Sequence, residues 1–231
     1  LFFKYIDNYA LKTVNKVVVN SEDLKNYLIN NRNITANKII VINHFSPFMK
    51  SNYVPNFELN NIFYAGNTGR PQNLSAFLRY FQKHFPSDWK LDIYGAGQEF
   101  NNLSEFSNDN IRINNYLERK ELENLTKEIP FALICLDYEI TFEGFPGKTF
   151  DYLNMNKVLI NFSNPNSVVS KLIDKYGLGF NIDLENPESL RGKLEKMKNS
   201  NEISKILENI KYFQQSVSNK EIAFKSYLEL I

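Results

Sequence analysis

At 231 residues, 43% hydrophobic and 23% charged, the chain has the composition of an ordinary globular protein and the length of one large domain with part of a second. Its 27 Lys and Arg stand against 26 Asp and Glu, so it lacks the cationic excess that neutralises a phosphate backbone, which argues against nucleic acid as a partner. A local anion site remains open, because a diphosphate can be held largely by backbone amides.

The single cysteine, Cys135, sits in the apolar run Phe131 to Leu136 and reads as a buried thiol in a reducing, cytoplasmic protein. No apolar run approaches the roughly 20 residues that span a bilayer. The opening residues, Leu1-Phe2-Phe3-Lys4-Tyr5-Ile6-Asp7, put charges where a signal peptide would be apolar, and there is no initiator Met. The chain is expected to begin inside a longer protein.

In chain order, Lys16 to Val19 and Lys38 to Ile42 read as strands. Between them a helix is expected through Asn30, capped by Asn20 and Ser21, with Glu22 and Asp23 at its positive end. Asn43 to Asn60, with two prolines and no sustained period, reads as a linker. Six strands follow: Ile62 to Ala65, Lys90 to Tyr94, Ile111 to Asn114, Phe131 to Leu136, Val158 to Asn161 and Gly179 to Ile182. Helical patterns separate them, and from Pro187 onward the chain is helical with breaks near Asn199 and Ser218. This alternation predicts an α/β fold, a doubly wound Rossmann-like parallel sheet preceded by a partial second α/β domain. The doubly wound order makes strands one and four neighbours and opens the ligand crevice between the loops that follow them.

The loop after strand one, Gly66-Asn67-Thr68-Gly69-Arg70-Pro71-Gln72-Asn73, has two glycines that let backbone approach a ligand, though such a turn is also common without one. Tyr94-Gly95-Ala96-Gly97-Gln98-Glu99 lacks the third glycine of a dinucleotide fingerprint and follows the second strand, so it argues against a dehydrogenase. Gly95 stays a candidate for the pocket floor. The strongest motif runs from Glu143 to Leu153. Pro146 suits a first helical position, Gly147 bares an amide, and Lys148 and Thr149 add a cation and a hydroxyl, which together make a pyrophosphate cradle. Glu143 and Asp151 flank that cradle. Carboxylates suit sugar hydroxyls, although acids near a helix start also simply answer the dipole. His44 reads as a junction turn residue and His84 as structural. Asp137-Tyr138-Glu139 reads as a chance triplet, and no metal is expected.

Glu143, seven residues and Asp151 are similar to the Glu-x7-Glu motif of retaining glycosyltransferases of family 4. Phe63 to Gly69, Ile93 to Gly97, Phe145 to Leu153 and Lys157 to Ile160 resemble successive segments of that family in the same order. Val17 to His44 resembles the last strands of its N-terminal domain. The resemblance implies a GT-B enzyme in which residues 1–50 end the acceptor-side domain, 51–60 link, 61–218 bind the donor, and 219–231 form a helix crossing back. It implies a bacterial, retaining hexosyltransferase of polysaccharide biosynthesis, whose substrate is a nucleoside-diphosphate sugar, in particular a UDP-sugar, with no further cofactor. The partner would be a glycan or lipid-linked acceptor, with peripheral membrane contact at the inner face through the absent part of the N-terminal domain. Glu143 would touch the donor sugar, Lys148 the diphosphate, with Arg70 as the candidate to replace the family's missing cations there, Asp151 the ribose, and Tyr116 and Leu117 the base. Gly66, Asn67, Gly69, Gly95, Pro146, Gly147 and Thr149 would complete the nucleotide contacts. The second acid is Asp where the family has Glu, and the family's Arg and Lys after strand one are replaced by Asn67 and by Gln72-Asn73. These departures keep two other readings open: a non-catalytic nucleotide- or partner-binding subunit, and a UDP-sugar 2-epimerase.

Overall fold

Two parallel sheets organise the chain in this computed structural model, which describes residues 2–47, 50–141 and 144–230, with side chains from Tyr5 onward. The small unit comprises α1 (Phe2–Thr13), β1 (Val17–Val19), α2 (Glu22–Arg32) and β2 (Ile39–Val41). β1 and β2 pair in parallel from Val17↔Ile39 to Val19↔Val41. Ser21 alone caps α2: its hydroxyl accepts from the Leu24 amide at 3.1 Å, and Asn33 at φ 54° ends the helix. Asn20 lies outside the cap, and the helix runs two residues past the expected Asn30 because the left-handed stop comes only at Asn33. Val19, Leu28, Ile34 and Ile39 form a core separate from that of the large sheet. α1 was not read from the sequence, since it has no acid in its first turn to mark its start.

The described residues from Ile42 to Asn60 carry neither helix nor strand, as expected of the linker. They are nonetheless stitched down: the Ser51 amide donates to Asn154 O at 2.8 Å and the Asn56 amide to Glu128 O at 3.1 Å.

The large unit contains β3 (Asn61–Asn67), α3 (Leu74–His84), β4 (Lys90–Ala96), β5 (Ile111–Asn115), α4 (Arg119–Thr126), β6 (Phe131–Cys135), α5 (Gly147–Asn154), β7 (Val158–Phe162), α6 (Val168–Tyr176) and β8 (Gly179–Asn181). The helices α7 (Ser189–Met197), α8 (Ser200–Ser216) and α9 (Lys220–Leu228) close the chain, with breaks where the sequence placed them. The six strands are all parallel in the order β5-β4-β3-β6-β7-β8, the doubly wound arrangement predicted. Every residue of β6 and β7 is buried, as central strands covered on both faces require. The helix expected after Gly97 is instead a 3-10 stretch, Phe100–Phe106. No described helix is long and apolar enough to cross a membrane.

One asymmetry of the sheet positions the site. β3 pairs with β4 along all seven residues, from Asn61↔Lys90 to Asn67↔Ala96, but with β6 only at Ile62↔Phe131 and Phe63↔Ala132. Beyond Phe63 the two central strands part. The crevice opens there, at the reversal of winding.

Candidate functional site

Into that crevice points the start of α5. Pro146 is its N-cap, at φ −60° and ψ 125°, not its first helical residue. The reason is that the Pro146 carbonyl already accepts from the Thr149 amide at 3.0 Å, which makes Gly147 the first residue inside. The amides of Gly147 and Lys148 thus precede the first intrahelical bond, and Gly147 is exposed.

Lys148 bends from α5 onto β3, where its Nζ stands 3.7 Å from the centroid of the Tyr64 ring. A Cβ on Gly66 would come within 3.0 Å of that Nζ, and Gly66 has φ +129°, so two separate constraints demand glycine there. The stem of Lys148 reaches solvent, but its Nζ is enclosed and has no hydrogen-bond partner among the described residues. Burial pushes its pKa down to about 7, with Cys135 the smaller, opposing influence. The Thr149 hydroxyl next to it is likewise buried without a partner.

Tyr152, one turn along α5, fixes the helix to β3: its hydroxyl donates to Ala65 O at 2.9 Å and accepts from Ala65 N at 2.7 Å. Asp151 Oδ1 accepts from Ser46 Oγ of the linker at 2.6 Å and lies 3.4 Å from Arg119 Nη1 at the start of α4. Arg119 Nε is in turn held by Glu123 Oε1 at 2.6 Å. Gly66, Tyr94, Tyr116, Arg119, Lys148 and Asp151 line a common cavity of about 190 Å³, with Leu117 beside Tyr116.

The loops after β3 and β4 are locked together. A Cβ on Gly95 would stand 2.5 Å from Gly66 O, so the backbones meet where no side chain fits. The Thr68 amide donates to Ala96 O and the Glu99 amide to Thr68 O, both at 3.0 Å, and Gly69 N is held by Gln72 Oε1 at 3.0 Å. Asn67 ends β3, exposed. Arg70 starts a short 3-10 turn, mostly exposed, with Nε 3.8 Å from Glu99 Oε1, and does not line the cavity.

Of the residues singled out from sequence, Gly66, Tyr116, Leu117, Lys148 and Asp151 therefore share one cavity. Pro146, Gly147 and Thr149 stand at the start of the helix that carries two of them, and Gly95 lies under Gly66. Glu143 lies outside the described residues. Asp137 of the acidic triplet accepts from Asn73 Nδ2 at 2.8 Å and from the Glu139 amide at 3.0 Å, the bonds of a structural turn.

Four contributors escaped the sequence reading: Ser46, Tyr94, Arg119 and Tyr152. Arg119 did leave a signal, a cation in the first turn of a helix where the dipole disfavours it, with its restraining acid four residues on. His44 is nearer the site than a linker histidine suggests: its ring packs edge-on against Phe150 at 4.8 Å, and its Nε2 is 3.6 Å from where a Cβ of Gly147 would be. Burial lowers its pKa, partly offset by Asp151.

A larger cavity, about 610 Å³, lies between β8 and α7–α8. Three of its polar lining residues, Ser163, Ser170 and Asn181, are within hydrogen-bond distance of Asn161 Nδ2 behind them, at 2.8–2.9 Å. Among the described residues it holds no buried side-chain group without a partner, whereas the smaller cavity holds Lys148.

No family model matches the sequence, and no curated protein matches it. Solved structures do. S. aureus TarM, in a complex with fondaparinux, alpha-GlcNAc-glycerol and UDP, superposes with a TM-score of 0.76 at 15% identity over 98% of this chain and 45% of its own. A glycosyltransferase from Rickettsia africae matches with a TM-score of 0.72 at 19% identity, over 99% of this chain and 66% of its own. Anabaena HepE, in complex with UDP and glucose, matches with a TM-score of 0.75 at 12% identity, over 96% and 64%. The chain has the fold of GT-B glycosyltransferases. It spans between 45% and 66% of the length of these three GT-B structures. The cavity under Lys148 sits where the GT-B half-fold reverses its winding.

Proposed function

We propose that this chain supplies the donor-binding half of a glycosyltransferase that moves a sugar, with retention, from a nucleoside diphosphate, in particular UDP, to a glycan or lipid-linked acceptor. The observation that carries the reading is the Lys148 Nζ, without a hydrogen-bond partner among the described residues and enclosed in one cavity with Gly66, Asp151 and Tyr116 at the start of α5. An anion suits that end of α5, where a cation, the first-turn amides and a positive helix end converge. Asp151, held by Ser46 and Arg119, stands at the distance of one helical turn from the cradle and would accept from ribose hydroxyls. Tyr116 and Leu117 would flank the base. Glu143, by its spacing from Asp151, would meet the sugar. Residues 1–50 would belong to the acceptor-side N-terminal domain, 51–60 would link, 61–218 would form the donor domain, and the helix in 219–231 would pack back toward the N-terminal domain. TarM and HepE, both solved with UDP, support the choice of nucleotide.

The chemistry follows from the charge that builds on the leaving diphosphate as the glycosidic bond breaks. Lys148 and the α5 amides would stabilise that charge, the electrostatic task on which such a transfer most depends. Calorimetric titration with UDP, GDP and ADP tests the reading, and the absence of binding by all three would sink it. A second reading, a subunit that binds nucleotide without transferring sugar, is favoured by one observation: Arg70 is tied to Glu99 away from the cavity, which leaves Lys148 as the cation closest to the cradle. A chain that binds UDP but shows neither transfer nor donor hydrolysis in its full-length context would favour it.

A further inference from the structure

Among the described residues, Lys148 and Lys157 both bury the ends of their side chains, and their surroundings are opposite. Lys157, at the start of β7, donates to the carbonyls of Thr126 at 2.7 Å, Lys127 at 3.0 Å and Ile129 at 2.8 Å. All three of its N–H groups are matched, at the C-terminal end of α4, where the helix dipole favours a cation. Lys148 has nothing comparable among the described residues; its Nζ meets the face of Tyr64.

The ionisable groups packed around Lys148 do not compensate. From β6, Cys135 stays a neutral thiol because burial raises its pKa; from β3, β4 and α5, Tyr64, Tyr94 and Tyr152 stay neutral for the same first reason. Asp151 shares the cavity, but its charge is answered by Arg119 at 3.4 Å. Burial therefore leaves Lys148 close to half-charged at neutral pH, its pKa pushed down to about 7.

We infer that, without nucleotide, Lys148 lies against Tyr64 as a largely neutral amine above neutral pH, and that a nucleoside diphosphate entering at the start of α5 draws one proton from solvent onto it. The inference rests on the donor-site reading. The geometry that carries it is the enclosed Nζ, which has no acceptor among the described residues, while the glycine at position 66 leaves the amine the room to lie there. Proton balance is simple, since the amine plus one solvent proton gives the ammonium and no bond of the nucleotide changes. A diphosphate beside the Nζ favours the charged form and raises its pKa, so binding and protonation promote each other.

The test is calorimetric titration of the full chain with UDP at pH 8, in buffers of differing protonation enthalpy. UDP is fully ionised there, so its own phosphates contribute little. Uptake of close to one proton is expected, with the dissociation constant rising up to tenfold per pH unit above pH 7. The Lys148→Arg chain, whose guanidinium is always charged, should take up none at whatever affinity it retains. Because that variant could pack poorly against Tyr64, NMR titration of the lysine Cε resonances in the wild-type chain supplies a second readout. One resonance beyond that of Lys157 should titrate near pH 7 and move upward by two units or more with saturating UDP. UDP binding without proton uptake, or no such resonance, overturns the inference and leaves the donor-site reading intact. Failure of UDP, GDP and ADP alike to bind overturns that reading, and the inference falls with it.

Discussion

The hydroxyl of Tyr152 makes two hydrogen bonds to the backbone of one residue, donating to Ala65 O at 2.9 Å and accepting from Ala65 N at 2.7 Å. Ala65 lies on β3 just past the point where that strand leaves β6, so its backbone groups have lost their partners on that side. The phenol stands in for a missing strand. It also sets the height of α5 over the crevice, and with it the position of Lys148.

Replacing Tyr152 by Phe keeps the ring packed against Phe63, 5.0 Å away, and removes only the hydroxyl. Two backbone groups are then left unmatched, which should lower stability by about 1–3 kcal/mol. A fall in the urea midpoint at unchanged slope would register this. A midpoint equal to wild type would mean that water replaces the phenol.

Asp151→Ala should weaken UDP binding by roughly ten- to a hundredfold, the worth of hydrogen bonds to a charged group. Ser46→Ala, which removes the 2.6 Å bond that orients this carboxylate from the linker, should weaken it less. Calorimetry on both variants checks the order; unchanged affinity in the Asp151 variant removes this residue from the ribose.

Gly66→Ala faces both a left-handed φ of +129° and the Lys148 Nζ at 3.0 Å from the new Cβ. The backbone strain alone is worth about 1–3 kcal/mol. In a double-mutant cycle with Lys148→Ala, the part due to crowding should disappear and the strain should remain. Strict additivity of the two changes would show that the side chains never meet.

Stability should rise with pH between about 7 and 9. The sign follows because burial holds Lys148 and Lys157 near 7 in the folded chain, well below an ordinary lysine at 10.5, so over this window the unfolded chain binds more protons. Each lysine contributes a slope of up to about 1.4 kcal/mol per pH unit. Above an ordinary thiol value of 9.0, Cys135, whose pKa burial raises, acts in the opposite direction. Urea titrations at pH 7, 8 and 9 measure the slope, and Lys148→Met should reduce it. A slope untouched by that change would mean that Lys148 keeps its charge in the folded protein.

The strands of the large sheet were legible because β6 is apolar throughout and β7 at every position but Asn161, and the turns between elements carry Gly, Asn and Pro. Their order followed from handedness rules that need no side-chain detail. The start of α5 was legible for the same local reasons, apart from the one-position shift of Pro146. Ser46 and Arg119 were not, since each meets Asp151 from a distant part of the chain, Ser46 across 105 residues. The helix-start motif marked Lys148 in the sequence, but not that its amine is enclosed without an acceptor among the described residues. Nor did it show that Lys157 is buried and satisfied, because the carbonyls that hold Lys157 belong to the end of α4 and the turn after it, some thirty residues earlier.

The enclosed amine of Lys148 makes this residue a liability for folding, since a methionine of similar length would fill the same space without asking for a proton or an acceptor. Selection for heat resistance in the absence of nucleotide would discard it early. A substitution scan in which position 148 tolerates apolar residues for thermal endurance, while UDP recognition collapses, would therefore locate the site from stability data alone, with no homologue to consult.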